Sequence, residues 1–182
     1  HGKFRRQRQM CIRDSDGRAY SLGSTGQLFC LDAAQGDVLW AVDLDERYTI
    51  DMPIWGIAAT PVIEDGLLIV PASADNAYLI AFDAVSGEER WKALDDRGNY
   101  SAPIVIDQAE ARVLVCWTGD RIVGVAPKSG ELLWEYPLKP RNMPLGVASP
   151  VLAGDRLFFT GFYDGSLLLR LAEDALQVEE LW

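Results

Sequence analysis

The chain has 182 residues and a formal charge of −10, which argues against nucleic-acid and anionic-membrane partners. Its one histidine is His1, so the rest of the chain holds no Ser-His-Asp or Cys-His constellation and no H-E-x-x-H zinc site. No GxGxxG or P-loop signature occurs, and no apolar run reaches the roughly 18 residues that a membrane-spanning helix needs.

Residues 1–15, HGKFRRQRQMCIRDS, carry a net charge of +4, against −14 for the other 167 residues. They show neither strand alternation nor repeat register. They read as a non-native or disordered leader rather than as a basic arm. The remainder, 16–182, divides into units at about 16–44, 57–95, 100–138 and 146–182. The first unit lacks its opening strand. The second is the clearest. GIAATPVI runs into the Glu64-Asp65-Gly66 turn, LLIVPAS into Ala74-Asp75-Asn76, and AYLIAFD into Ala84–Gly87, before EERWKAL ends at Asp95–Asn99. That pattern predicts four short strands joined by tight turns. The third unit has its turns at Gln108–Ala111, Gly119-Asp120 and Lys128–Gly130. The fourth has them at Gly154-Asp155, Asp164-Gly165 and Glu173–Ala175. Sustained helical periodicity is absent.

One eleven-residue phrase recurs four times: CLDAAQGDVLW (30–40), AFDAVSGEERW (81–91), GVAPKSGELLW (124–134) and AEDALQVEELW (172–182). Successive tryptophans are 51, 43 and 48 residues apart. A Pro-Val or Pro-Ile pair precedes the last three tryptophans, with its proline 30, 31 and 32 residues upstream. A repeated four-stranded antiparallel unit of this length predicts an all-β chain of β-propeller blades. A lone blade cannot bury both faces, so the phrase is read as structural. Gly36, Gly87 and Gly130 sit in the last turn, where φ > 0 is expected and a missing Cβ leaves room for an indole. Trp40, Trp91, Trp134 and Trp182 fill the gaps between blades. Asp32, Asp83 and Asp174 bond the turn amides. Copy three has Ala126 in place of Asp, and copy four has Val178 in place of Gly.

The phrase A-x-D-x-x-[ST]-G-x-x-x-W resembles the tryptophan-docking repeat of quinoprotein-like (PQQ-like repeat) β-propellers, and AFDAVSGEERW matches it at every fixed position. The resemblance covers residues 16–182. It implies about four blades of a seven- or eight-bladed ring, with the rest of the propeller missing. It also implies export to the periplasm, envelope or exterior of a bacterium. The family includes pyrroloquinoline-quinone (PQQ) dehydrogenases, BamB-like assembly scaffolds without cofactor, and less defined PQQ-like repeat proteins. A vicinal Cys-Cys pair marks many of the dehydrogenases and is absent here. Cys30 and Cys116 are expected as buried free thiols.

These readings point to a non-catalytic binding or assembly scaffold with no catalytic, cofactor or metal residue expected. The alternative is part of a dehydrogenase that binds PQQ with Ca²⁺. A third reading is the sensor portion of a larger enzyme. The expected partner is a protein or small polar ligand on the face that gathers the inter-blade links and the loops between second and third strands. Trp55, Arg97, Asn99, Arg141, Asn142, Tyr163 and Asp164 are the candidate residues there, where Arg, Asn and aromatic groups suit a carboxylate, sugar or peptide. Trp117 is expected in the core.

Overall fold

The computed structural model describes residues 10–140 and 142–182. The chain forms four separate four-stranded antiparallel sheets, each a meander in sequence order. Blade one is β1 (Met10–Ser15), β2 (Arg18–Gly23), β3 (Gln27–Asp32) and β4 (Val38–Asp43), followed by a single helical turn, α1 (Leu44–Arg47). Blade two is β5 (Val62–Glu64), β6 (Leu67–Ala74), β7 (Ala77–Asp83) and β8 (Glu89–Ala93). Blade three is β9 (Ile104–Gln108), β10 (Ala111–Trp117), β11 (Arg121–Val125) and β12 (Leu132–Pro137). Blade four is β13 (Val151–Ala153), β14 (Arg156–Gly161), β15 (Gly165–Leu171) and β16 (Val178–Glu180).

The opening strand of blade one corrects the leader assignment. Met10–Ser15 pairs with β2 over six residues, and the sequence reading had placed this stretch in a strandless leader. The physical cause is the turn. Ser15 pairs with Arg18 across Asp16-Gly17, whose φ angles of 50° and 73° are those of a type I′ hairpin. Residues 1–9 of that leader lie outside the described residues.

Period-two alternation decides how the sheets stack. Tyr20, Leu22, Leu28 and Cys30 of blade one pack on Leu68, Val70, Ala72, Ile80 and Phe82 of blade two. The opposite parity of blade two, Ile69, Leu79 and Ala81, meets Leu114, Cys116, Val123 and Val125 of blade three. The other face of blade three, Val113, Val115 and Ile122, meets Leu157, Phe159, Leu167 and Leu169 of blade four. Middle strands of blades two and three are covered on both faces, which is why LLIV, YLIAF and VLVC run apolar without alternation. Cys30 and Cys116 are buried free thiols.

The repeated phrase folds alike in three blades and differently in the fourth. Asp32, Asp83 and Ala126 each donate their N–H to the carbonyl five residues on, and each accepts at its own carbonyl the N–H of Gly36, Gly87 or Gly130. These glycines have φ of 77°, 74° and 74°. The Asp32 carboxylate accepts from Ala34 and Gln35, and that of Asp83 from Val85 and Ser86. A β-bulge then follows in each of the three last strand pairs, which re-aims the tryptophan. The Trp40 indole lies over Gly87 and donates Nε1–H to the Ala84 carbonyl at 3.2 Å. Trp91 lies over Gly130, its buried Nε1 without a hydrogen-bond partner.

In blade four the same turn bond starts at Ala172, which donates to the Gln177 carbonyl, two residues ahead of Asp174. Its last strand pair shows no bulge. Counted from that turn bond, Glu180 holds the place of the tryptophan, and without a bulge it is Glu179 that pairs with Arg170, the equivalent of Cys30 and Ala81. Trp182 lies two residues beyond Glu180, 60 % exposed, against Phe158 at 6.2 Å between ring centroids. The sequence alignment of the fourth phrase is thus displaced by two residues from its structural register. Asp174 accepts no turn amide of the kind bound by Asp32 and Asp83.

Candidate functional site

Inter-blade links and the loops between second and third strands gather on one face. The link after α1 is anchored beneath by buried Leu44 and beside by Tyr48, whose hydroxyl bonds Glu89. Its next residues run antiparallel to the β6–β7 loop: Ile50 pairs with Ala74, Asp51 N–H donates to the Ser73 carbonyl, and Asp75 N–H to the Thr49 carbonyl. A turn closed by Gly56 N–H to the Pro53 carbonyl then projects Ile54 and Trp55 outward. Gly56 has φ 77° and the Ser24 carbonyl where a Cβ would sit, so glycine alone fits this turn.

The second link, 95–100, is stapled to the loop of blade three. Asp96 is buried and accepts from Arg121 Nε and Nη2, both at 2.8 Å, and from the Thr118 hydroxyl. Arg121 also bonds Glu135. Arg97 donates from Nε to Asp120 at 2.9 Å and from Nη2 to the Gly119 carbonyl at 3.1 Å. Partial burial pushes the Asp120 carboxyl up, but Arg97 and its backbone amide outweigh this and hold it below the usual range. The third link is tied down by Asn99, which donates to the Thr118 carbonyl and accepts from the N–H groups of Tyr100 and Gly146.

Between these links lies an open cleft of about 210 Å³. Its walls include Met52, Ile54 and Trp55 on one side, Arg97 and Tyr100 on another, and Met143 on the third. Trp55 and Tyr100 meet edge to face, 5.6 Å between centroids, and half of Trp55 stays exposed. Beyond Met143, Phe162 N–H donates to the Leu145 carbonyl, and Phe162 stacks edge-on against Tyr163 at 4.8 Å. Both rings face solvent.

Of the candidate residues, Trp55 and Arg97 line the cleft. Tyr163 and Asn142 are exposed on the same face. Asp164 lines a separate space of about 10 Å³ with Asn99 and Trp117. Asn99 requires correction as a surface contact: it is 5 % exposed and its carboxamide is engaged by the backbone on both sides. Arg141 lies outside the described residues. Trp117 is buried under Gly146 and edge-on to Phe159. The sequence reading passed over Tyr100 and Met143, whose one signal was their position in links that leave the repeat register. Among the described residues no group of three or more His, Cys, Asp or Glu side chains converges to hold a metal ion, and no helix is long and apolar enough to cross a membrane.

The family model described as outer membrane protein assembly factor BamB matches residues 12–182. The chain belongs to that family. Among solved structures it is similar to BamB from Moraxella catarrhalis, with 17% identity and a TM-score of 0.67, over 94% of this chain and 46% of that one. It is also similar to quinohemoprotein alcohol dehydrogenase from Comamonas testosteroni, with 16% identity and a TM-score of 0.66, over 93% of this chain and 34% of that one. A computationally designed protein, Ika4, matches with 12% identity and a TM-score of 0.60 over 94% of this chain and 96% of its own. At these identities the likeness shows the β-propeller fold alone. The chain spans about half the length of the BamB structure. Comparison with curated proteins gives no match.

The dehydrogenase branch would bring a quinone and Ca²⁺, and the cleft does not fit them. Ca²⁺ takes about six to eight oxygen ligands from carboxylates, amide carbonyls and water, and among the described residues of the lining Asp51 is the one side chain of that kind. Arg97, the one cation of the lining among the described residues, is already engaged by Asp120 and the Gly119 carbonyl.

Proposed function

We propose that this chain is part of a non-catalytic binding and assembly scaffold, exported to the bacterial envelope, that docks protein on its loop face. In this reading the blades are a rigid frame, and Trp40 and Trp91 act as docking elements that set the angle between neighbours. The observation that carries it is the run of exposed apolar side chains across that face: Met52, Ile54, Trp55, Met143, Phe162 and Tyr163. Met52, Ile54 and Trp55 lie on the link that pairs with the β6–β7 loop, Met143 on the link tied by Asn99 to Gly146, and Phe162 and Tyr163 on the β14–β15 loop bonded to Leu145. Exposed aromatic and methionine side chains on a pre-formed surface are the composition of protein interfaces. BamB, by its printed description, is an assembly factor, and the family membership supports the same role here.

The test combines two measurements on the full-length protein. Titration with PQQ and Ca²⁺, followed by absorbance and by dye-linked alcohol oxidation, is expected to give neither uptake nor turnover. A photo-crosslinking residue in place of Tyr163 is expected to give discrete protein adducts in the envelope, and one in place of Glu131, in a turn on the opposite face, none. Stoichiometric quinone uptake with turnover would move the chain to the dehydrogenase branch.

A further inference from the structure

The cleft at Trp55 narrows what the loop face recognises, on the premise that this face docks protein. We infer that it receives an extended peptide segment that inserts one apolar side chain between Trp55, Tyr100 and Met143 and sets a lysine or arginine beside Asp51. Three observations carry this assignment.

The first is size. At about 210 Å³ the cleft is smaller than the roughly 300–1,000 Å³ of sites for drug-sized ligands. It suits a side chain and its flanking backbone rather than a cofactor. The second is lining chemistry. Two methionines, a tryptophan, a tyrosine, an isoleucine and two prolines make the walls mostly apolar. A sugar would leave its hydroxyls against carbon here, whereas methionine and aromatic walls adapt to aliphatic and aromatic side chains. The third is charge. Arg97 is neutralised by Asp120, and Arg121 by Asp96. Asp51, Asp75 and Asp95 form no ion pair among the described residues and are exposed. They lie together, because 49–51 bonds 73–75 and Asp95 accepts from Asn76 N–H. Asp51 lines the cleft and Asp75 and Asp95 adjoin it, so among the described residues this edge of the cleft is negative, and complementarity there selects a basic flank.

The assay is fluorescence anisotropy of the full chain with a labelled peptide carrying Arg-Leu-Leu-Lys at its centre. Two comparison peptides replace the basic pair by glutamate, or the leucines by alanine. The basic, apolar peptide is expected to bind saturably, and each comparison peptide at least about tenfold more weakly. Trp55→Ala weakens binding about tenfold or more, with Trp55→Phe restoring most of it. Asp51→Asn weakens it about threefold and flattens its salt dependence. Glu131→Ala, in an exposed turn on the opposite face, changes nothing. Trp55 is half exposed, so an unchanged thermal midpoint separates lost binding from lost folding. Equal binding of the acidic peptide, unchanged binding by the Trp55→Ala chain, no peptide binding, or displacement by methyl glucoside would each overturn the assignment. The scaffold reading is judged separately: if Tyr163-position crosslinks persist in a Trp55→Ala background while peptide binding fails these tests, the face docks protein but not through this cleft.

Discussion

Replacing Gly87 and Gly36 separately by alanine tests whether the glycine of the repeat serves the backbone or the neighbouring tryptophan. Both residues have nearly the same φ, 74° and 77°. An alanine at such an angle is disfavoured by about 1–2 kcal/mol. Their surroundings differ. A Cβ on Gly36 meets nothing within 4 Å, whereas one on Gly87 falls 2.8 Å from Trp40 Cδ2 and 3.0 Å from Cε3. Real Cβ atoms do not approach so closely, so the indole must shift. It is held by its bond to the Ala84 carbonyl and by Tyr20, whose ring centroid lies 5.9 Å away. Overpacking of this kind adds about 1–3 kcal/mol. The expected loss is thus about 1–2 kcal/mol for Gly36→Ala and about 2–5 kcal/mol for Gly87→Ala. Equilibrium urea unfolding followed by tryptophan emission reads both, and Gly87→Ala should also alter the native emission because Trp40 moves. Losses equal within about 0.5 kcal/mol would refute the packing account and leave only the turn conformation.

Two further outcomes follow from buried and paired charge. Arg121→Ala leaves the Asp96 carboxylate, 2 % exposed, without its cation, and should destabilise by about 3–5 kcal/mol; Asp96→Ala strands an arginine that already reaches water and should cost visibly less, so the reverse order in urea unfolding would contradict the pairing described here. The Asp83 carboxyl is held below the usual range, first by Arg90 and then by the Ser86 amide; its contribution is complete above the unfolded value of about 4 and is lost as pH falls below it, so Asp83→Asn should flatten the acid side of the stability profile.

Much of the frame was legible because each blade solves the same local problem with the same letters. Asp32, Asp83, Gly36, Gly87 and Gly130 act within a few residues of themselves, and local geometry is what sequence spacing encodes. β1 was missed although its signal was present. Asp16-Gly17 between two β-prone runs marks a type I′ hairpin, but the first unit carries no Pro-Val or Pro-Ile pair of the kind that opens the other three, and its strand is defined by the turn instead. The fourth phrase misled in the opposite sense. Its Asp and Trp have the right spacing, yet without a glycine the turn closes two residues earlier and no bulge forms. On the loop face, Trp55 was recognisable as an aromatic outside the repeat. Asn99 was placed on the surface because short polar residues in links are mostly exposed. Its burial depends on Thr118 and Gly146, 19 and 47 residues away, and the Asp96–Arg121 pair depends on a contact 25 residues apart. No periodicity carries such contacts.

The junction of blades three and four shows how the stack tolerates loss of the motif. Counting from the first residue of the turn bond, Leu176 stands where the other blades have Gly36, Gly87 and Gly130. An indole cannot lie on a leucine as it lies on a glycine, and Trp134 lies instead on Gly124 of its own blade, the position held by Cys30 and Ala81 in blades one and two. A Cβ at Gly124 would fall 2.2 Å from Trp134 Cε2, so that glycine is required by the new position. The indole Nε1–H, which in blade one reaches the next turn directly, donates at 2.9 Å to buried Gln108. Gln108 in turn donates to the Ala175 and Gln177 carbonyls of the fourth turn. The glycine has moved from the receiving blade to the donating one, and a glutamine spans the gap that results. The link between neighbours is kept while the letters that signal it are not, which is why a repeat read from sequence loses its register where the structure keeps its stacking.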